Sequence, residues 1–243
     1  MIGITERGDA GRDLSWSSKM NQVDGAILIT KNVDNPEFVS EVSKHRNVIV
    51  HATITGYGGT LLEPNVSTYE QTIAALSELI KVQPANRVVL RVDPIIPTEK
   101  GLERAANVIK LARKTVPTID RVRFSFMDLY LHVKGRFVGF GLKVPWETKH
   151  APEELQHNAI CMLQTFEKQY NLTIESCGEA STTIPHKWKV GCVSYRDYAL
   201  LGLPHPIVSL SGQRASCLCL GSKKELLTVR GRCPNKCLYC YWR

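Results

Sequence analysis

A short run of cysteines is the part of this sequence that most directly indicates chemistry. Cys233, Cys237 and Cys240 have C-x3-C-x2-C spacing, and Tyr239 stands directly before the last of them. Three thiolates on one loop can bind three irons of a cubane cluster and leave the fourth iron open to a second molecule. A structural zinc site instead takes four protein ligands, often as paired C-x2-C units. The spacing therefore favours a reactive [4Fe–4S] cluster.

Four further cysteines form a second candidate set. They are Cys177, Cys192, Cys217 and Cys219. Four thiolates from separate loops can hold a second iron–sulfur cluster or a structural zinc, and their spacing does not separate these two options. For any one of the four, a small buried side chain is the alternative interpretation. The remaining cysteine, Cys161, lies in a predicted helix with no cysteine at ligand spacing and is expected to be an ordinary residue.

Size and composition are those of a globular protein. The chain has 243 residues, of which 43% are hydrophobic and 22% charged, and we expect a single α/β domain over residues 1–243. No apolar run of about 18 residues and no secretory leader is recognisable, which predicts no membrane span and a cytoplasmic protein. The net charge of +8 weakly favours a nucleic-acid partner, with a solvated basic face as the alternative.

Alternating strand and helix signals predict a β/α barrel or partial barrel. Near-continuous apolar runs of the kind found in parallel sheets occur at residues 2–5, 26–30, 48–54, 88–92, 122–126, 172–174 and 226–229. Helical patterns begin at a capping-box sequence from Ser67 to Glu70, after Thr98 and after Pro152. Residues 131–225 contain just one of these helices, the one after Pro152, and one strand, at residues 172–174, and we expect connections and a lid or extension there.

Polar residues follow five of the predicted strands, at the end of the sheet where barrel enzymes build their sites. Arg91 and Asp93 are expected to form a fixed ion pair or to contact substrate. His51, within a strand, is expected to be a core histidine, and Glu63 to shape a loop. Each residue taken alone is more simply the polar start of a loop, but the repetition over five strands favours a site.

The cysteine loop (residues 233–240) resembles the signature of the radical S-adenosylmethionine superfamily. With its flanks, residues 229–243, it is most similar to the branch of spore photoproduct lyase and related DNA-repair proteins. Residues 29–32, 53–55, 62–64 and 92–97 are similar to segments of the same branch. A closer resemblance is to a family of unknown function with C-terminal cluster cysteines, preceded by a Gln-Arg pair, here Gln213 and Arg214, and a Cys-x-Cys, here Cys217 and Cys219.

This resemblance implies a radical S-adenosylmethionine enzyme. Cys233, Cys237 and Cys240 would bind three irons of a [4Fe–4S] cluster, S-adenosylmethionine would chelate the fourth, and Tyr239 would pack over the cluster. Reductive cleavage of the cofactor would give a 5′-deoxyadenosyl radical that removes hydrogen from substrate. A flavodoxin or ferredoxin is the implied reductant. A nucleobase, nucleotide or nucleic acid is the implied substrate class.

The position of the loop departs from the usual pattern of that superfamily, in which it follows the first barrel strand. Here it follows the last predicted strand, at residues 226–229. The resemblance therefore implies a circularly permuted barrel in which this strand lies beside residues 2–5. Because these strands would be neighbours, Glu6, Arg7 and Asp9 are candidates for binding the amino-acid end or ribose of S-adenosylmethionine.

Three alternatives remain open at this point. A non-catalytic, zinc-stabilised domain that binds nucleic acid through its basic surface would be colourless and would hold zinc without iron. An iron–sulfur electron carrier is disfavoured because a three-cysteine loop leaves one iron without a protein ligand. An accessory cluster attached outside a barrel is the third.

Overall fold

A sheet of seven parallel strands forms the centre of the described chain. The strands are β1 (Ile2–Ile4), β2 (Gly25–Thr30), β3 (Val48–Thr53), β4 (Val88–Ile95), β5 (Arg121–Phe126), β6 (Thr173–Ser176) and β7 (Lys223–Glu225). Their spatial order is β7-β1-β2-β3-β4-β5-β6. The structure is a computed structural model that describes residues 1–179, 181–204, 217–220, 223–227 and 233–242. The predicted α/β class is confirmed.

Helices connect the strands. The described residues form α1 (Pro36–Ser43), α2 (Tyr69–Val82), α3 (Glu99–Thr115), α4 (Leu131–Gly139), α5 (Glu153–Tyr170) and α6 (Tyr195–Leu200). Short 3-10 segments lie at Leu14–Gln22, Ala85–Arg87 and His186–Trp188. None of the helices in these ranges is long and apolar enough to cross a bilayer. α2, α3 and α5 were predicted, whereas α4 and α6 add structure within residues 131–225, where one helix was expected.

The capping box at the start of α2 lies one residue later than predicted. Thr68, with an extended backbone, caps the helix and forms the box with Gln71. Ser67 instead donates its hydroxyl hydrogen to Asp34. The neighbouring Ser and Thr are chemically equivalent caps, so the local sequence alone did not decide which residue leaves the helix.

β7 corrects the strand predicted at residues 226–229. It lies three residues earlier and pairs with β1, and the Leu226 N–H continues this ladder to the Ile4 carbonyl at 2.9 Å. The last two residues of the predicted run lie outside the described residues. Lys223 Nζ is 2.8 Å from a carboxylate oxygen of Glu6, and this ion pair balances the charge of Lys223. The prediction that the strand before the cysteine loop lies beside the first strand is confirmed.

The two faces of the sheet pack against different parts of the chain. One face, which includes Leu28 and Val50, joins α1, α2, α3 and α5 in the larger core. The second face, which includes Ile27 and Ile49, is covered by α6 and by the segments around Cys192 and Cys219. Described parts of the connection from β6 to β7 therefore lie on this second face.

Four buried charges fix α6 to the second face. Arg121 Nε and Arg123 Nη2 lie 2.9 and 2.5 Å from carboxylate oxygens of Glu175 on β6. Asp197 of α6 lies 2.7 Å from Arg121 Nη1 through its Oδ1. All four side chains are at most 5% exposed. Two guanidinium groups and two carboxylates thus neutralise one another in an environment where an unpaired charge would be costly.

His51 lies on the same face in the middle of β3, and its expected core position is confirmed. The side chain is fully buried, and its Nε2 lies 3.5 Å from Arg123 Nη1. Nδ1 has no hydrogen-bond partner within the described ranges. Burial, followed by the charges of Arg123 and Arg91, lowers the pKa of His51 well below 6.5.

This buried histidine should make the folded state less stable in mild acid. The unfolded chain takes up a proton on the ring near pH 6.5, whereas the folded chain does not. The free energy of unfolding should therefore fall below that pH by up to about 1.4 kcal/mol per pH unit through this group. Urea unfolding from about pH 7 to about pH 5 should show this slope in the wild type and lose it in His51→Gln. Identical slopes would contradict a neutral buried ring.

Candidate functional site

The cysteine loop lies over the carboxyl ends of β1, β2 and β3. Asn235 donates from Nδ2 to Asp9 Oδ2 at 2.7 Å and accepts from Asn32 Nδ2 at 3.0 Å. Asp9 and Asn32 follow β1 and β2. The Leu238 N–H donates to the Leu62 carbonyl, in the connection after β3, at 2.9 Å. The loop thus lies at the carboxyl end of the parallel strands, where ligands commonly bind in α/β proteins.

The three thiols of the loop share one environment without converging on a point. Cys237 is 6% exposed, and Cys233 and Cys240 are half-buried. Cys237 interacts electrostatically with both of the others, and burial raises its pKa to about 12. Within the described residues, these three do not form a group of ligand atoms that all lie within 4.8 Å of one another. The three thiols of the loop are therefore not gathered around a single ion in the described structure.

A buried ion pair lies beside Cys237. Lys31 Nζ is 2.8 Å from Glu63 Oε1, which also accepts hydrogen bonds from Thr55 Oγ1 at 2.7 Å and from the Tyr239 hydroxyl. The ammonium lies 5.6 Å from the Tyr239 ring centroid. Burial alone would lower the pKa of Lys31, but Glu63 and then Cys237 outweigh it and raise this pKa. The half-buried Lys31 ammonium therefore interacts first with Glu63 and then with Cys237.

Glu6, Arg7 and Asp9, which were expected to bind the cofactor, lie in three different environments. Asp9 is 4% exposed, and its carboxylate accepts four hydrogen bonds. The donors are Gly11 N, Thr30 Oγ1, Lys31 N and Asn235 Nδ2. Asp9 therefore acts as a positioning residue for the loop. Glu6 lies with the second cysteine set, and Arg7 is exposed.

α4 holds the other side of the cysteine loop. Arg136 donates from Nε to the Leu238 carbonyl at 2.7 Å, and its Nη2 donates to the Cys240 carbonyl. His132 Nε2 lies 3.2 Å from the Tyr241 carbonyl. The loop is thus held between the strand ends and this helix.

The second cysteine set meets on the second face of the sheet. Cys177 Sγ and Cys192 Sγ are 2.7 Å apart without a disulfide bond. The Cys192 N–H donates to Cys219 Sγ at 3.0 Å, and Cys217 forms a side-chain hydrogen bond with Cys219. Ligand atoms of Glu6, Cys192 and Cys219 lie within 4.8 Å of one another. The structure therefore brings together all four cysteines of the set and adds Glu6.

Positive charges surround this second set. Arg91 Nη1 donates to Cys192 Sγ at 3.2 Å, and Arg123 Nη1 donates to the Cys192 carbonyl at 3.1 Å. Arg91 Nε also donates to Asp93 Oδ2 at 2.6 Å, so the expected ion pair is present. The hydrogen bond with Cys177, aided by both guanidinium groups, lowers the pKa of Cys192 well below 9.0.

Sequence reasoning gave no site role to Lys31 or Arg136 and expected Glu63 only to shape a loop. Lys31 and Glu63 carried a usable signal, because a lysine directly after β2 and a glutamate after β3 both belong at the carboxyl end of the sheet. The sequence carries no comparable signal for Arg136, because this residue lies inside a helix and not directly after a strand. Cys161 is exposed on α5, as expected of an ordinary residue. Gln213 and Arg214 lie outside the described residues.

Replacing Glu63 by glutamine should weaken the attachment of the cysteine loop. The amide retains an acceptor for Tyr239 and Thr55, but the half-buried Lys31 loses its carboxylate partner. We expect the free energy of unfolding to fall by about 3 kcal/mol, measured by urea unfolding. Glu70→Gln, an exposed site on α2, is the matched control, and an equal loss in both variants would contradict this role.

Comparison with known proteins gives one family. Neither a curated protein nor a solved structure matches the chain. Residues 12–242 match the family model described as Domain of unknown function (DUF1848). The matched span contains the cysteine loop and all four cysteines of the second set, while Glu6 and Asp9 precede it. With a match over nearly its whole length, the chain belongs to this domain family.

Proposed function

We propose that this protein is a radical S-adenosylmethionine enzyme whose [4Fe–4S] cluster is bound by Cys233, Cys237 and Cys240. The observation that carries the proposal is a three-thiol loop over the carboxyl ends of β1, β2 and β3 of a parallel sheet. Three thiolates in one partly buried environment fit a cluster with one open iron. When bound, the cluster and S-adenosylmethionine supply a 5′-deoxyadenosyl radical by reductive cleavage of the cofactor.

The residues around the loop support this chemistry in two ways. Lys31 places a positive charge beside Cys237, which offsets part of the negative charge of a cluster held by three thiolates. Cys237 and Tyr239 also lie in an apolar cluster with Met127 and Trp146, each at most 7% exposed. Such a wall excludes water from a reactive intermediate.

The strand order supports the finer proposal of a circularly permuted, partial β/α barrel. When β7 is counted first, the spatial order β7-β1-β2-β3-β4-β5-β6 becomes the sequential order of such a barrel. The cysteine loop then follows the first strand in space. β7 and β6 are the two edges of the described sheet, as in a barrel that is not closed.

A nucleobase, in a nucleotide or nucleic acid, is the substrate class we propose. The net charge is +8, and aromatic rings flank the cysteine loop. Tyr130 stacks on His132 at 5.6 Å and lies 6.2 Å from the Tyr241 ring, and Lys149 Nζ lies 4.9 Å from the Tyr130 centroid. Trp242 is 60% exposed. Exposed rings beside cations are the usual platform for unpaired bases.

The test is a cofactor-cleavage assay on anaerobically reconstituted protein. With a strong reductant, protein that holds one [4Fe–4S] cluster should convert S-adenosylmethionine to methionine and 5′-deoxyadenosine. Failure to form these products at full iron and sulfide content would overturn the proposal. A colourless protein with zinc and no iron would support the non-catalytic alternative. Transfer of deuterium from labelled nucleosides or oligonucleotides into 5′-deoxyadenosine would then identify the substrate class.

A further inference from the structure

We infer that Cys177, Cys192, Cys217 and Cys219 bind a second metal, a single zinc ion, at a site separate from the cysteine loop. This inference does not depend on the proposed function. It is carried by the geometry of the second face of the sheet, where the four side chains meet.

The four cysteines come from three separate segments. Cys177 follows β6, Cys192 precedes α6, and Cys217 and Cys219 precede β7. The contacts between them nevertheless form a continuous series. Cys177 Sγ contacts Cys192 Sγ at 2.7 Å, the Cys192 N–H donates to Cys219 Sγ at 3.0 Å, and Cys219 hydrogen-bonds Cys217. Thiols gathered in this way from separate loops are the usual ligand set of a zinc site.

Two cysteines of this set, together with Glu6, lie at the spacing of ligands around one ion, and pairwise contacts join Cys177 and Cys217 to them. Ligand atoms of Cys192, Cys219 and Glu6 lie within 4.8 Å of one another. Tetrahedral zinc with Zn–S bonds of about 2.3 Å brings its sulfurs to roughly 4 Å from each other. The backbone is also crowded, because a Cβ at Gly191 would lie 2.2 Å from Cys219 N. This packing accommodates one ion between the thiols more readily than an eight-atom cluster.

The charges around the set match a thiolate-bound ion. Four thiolates on zinc carry a net charge of about −2. Arg91 contacts Cys192 Sγ directly, and Arg123 contacts the Cys192 carbonyl. Both guanidinium groups also pair with carboxylates, Arg91 with Asp93 and Arg123 with Glu175, so they offset part of that charge. Glu6, which is paired with Lys223, also brings a carboxylate oxygen within 4.8 Å of the ligand atoms of Cys192 and Cys219.

The proposed ion would fasten the connection between β6 and β7 to the sheet. Cys177 extends from the end of β6, whereas Cys192 and Cys219 belong to the segments that cover the second face. A structural zinc contributes its binding free energy to folding. We therefore expect its removal to lower the thermal unfolding temperature.

Metal analysis of the full chain tests this inference. Protein purified anaerobically, with zinc and iron both supplied, should contain about one zinc per chain, bound by sulfur at about 2.3 Å in X-ray absorption spectra. The triple variant Cys233→Ser/Cys237→Ser/Cys240→Ser should keep this zinc. Cys217→Ser should lower the zinc affinity at least about 10-fold, while Cys161→Ser, the matched control, should not.

Because a Cys217→Ser chain that failed to fold would also lose zinc, cobalt(II) provides a second measurement on the wild-type chain. The absorption spectrum of the cobalt(II)-loaded protein should show bands of tetrahedral thiolate coordination. These bands should disappear when zinc is added and displaces the cobalt. The inference is overturned if the triple variant holds iron and sulfide in place of zinc, or if no zinc or cobalt binds. Retention of zinc by Cys217→Ser at the level of the control also overturns it. A wild-type protein with zinc but no iron would overturn the proposed function alone.

Discussion

Cys237→Ser should remove the iron–sulfur cluster and with it the formation of 5′-deoxyadenosine. Cys237 is the most buried of the three loop thiols and the one beside Lys31. A serine there provides no thiolate, and Lys31 then lies beside a neutral hydroxyl. We expect the rate of 5′-deoxyadenosine formation to fall about 100-fold or more. Iron and sulfide per chain and the product, measured after identical anaerobic reconstitution, are the readouts.

Cys161→Ser is the matched control for this loss, because Cys161 is an exposed thiol on α5. It should retain wild-type iron content and product formation. Circular dichroism of Cys237→Ser should remain close to that of the wild type, since Lys31 keeps its partner Glu63. A folded Cys237→Ser protein with full cluster content would contradict the assigned ligand.

Glu175→Ala should have the largest effect on stability. Its carboxylate bonds both Arg121 and Arg123, and the change leaves these two buried guanidinium groups to share the single carboxylate of Asp197. Breaking a buried pair by removing one partner typically costs about 3 to 5 kcal/mol, because an uncompensated charge stays buried. Urea unfolding monitored by circular dichroism should show a loss of this size.

The matched control is Glu78→Ala on α2. Its ion pair with Lys81 has both side chains more than 60% exposed, so its removal should cost about 0.5 kcal/mol or less. High salt should reduce the control effect further and leave the Glu175 effect nearly unchanged. Equal losses in the two variants would show that the buried network is not what fixes α6.

The strands and the two cysteine sets could be predicted because their signals are local or chemically distinctive. β-branched runs identified six strands, and residues 26–30 match β2 to within one residue. The cysteine loop was found by its spacing. The second set was found by residue type alone, and its members meet although Cys177 and Cys192 are 15 positions apart.

The rest depends on tertiary contacts that a linear pattern does not contain. β7 has the sequence Lys-Lys-Glu, which has low strand propensity, and its pairing with β1 imposes the conformation. Lys31 and Glu63 meet only when the ends of β2 and β3 are adjacent. In the sequence, Arg121 and Arg123 are charged residues within an apolar strand. Their role in a buried ion-pair network follows only from Glu175 on β6 and Asp197 on α6.

The pairing of β7 with β1 also has a consequence for the order of assembly. Glu6 and Glu225 contact each other across 219 positions of sequence, so this edge of the sheet forms only after the ribosome has made nearly all of the described chain. The strands from β1 to β6 are able to pair earlier, one after another. During this interval Cys177 and Cys192 are already present without Cys217 and Cys219. The zinc site proposed for the four cysteines would therefore be complete only after Cys219 has been made, and until then Cys177 and Cys192 are thiols without the rest of their set.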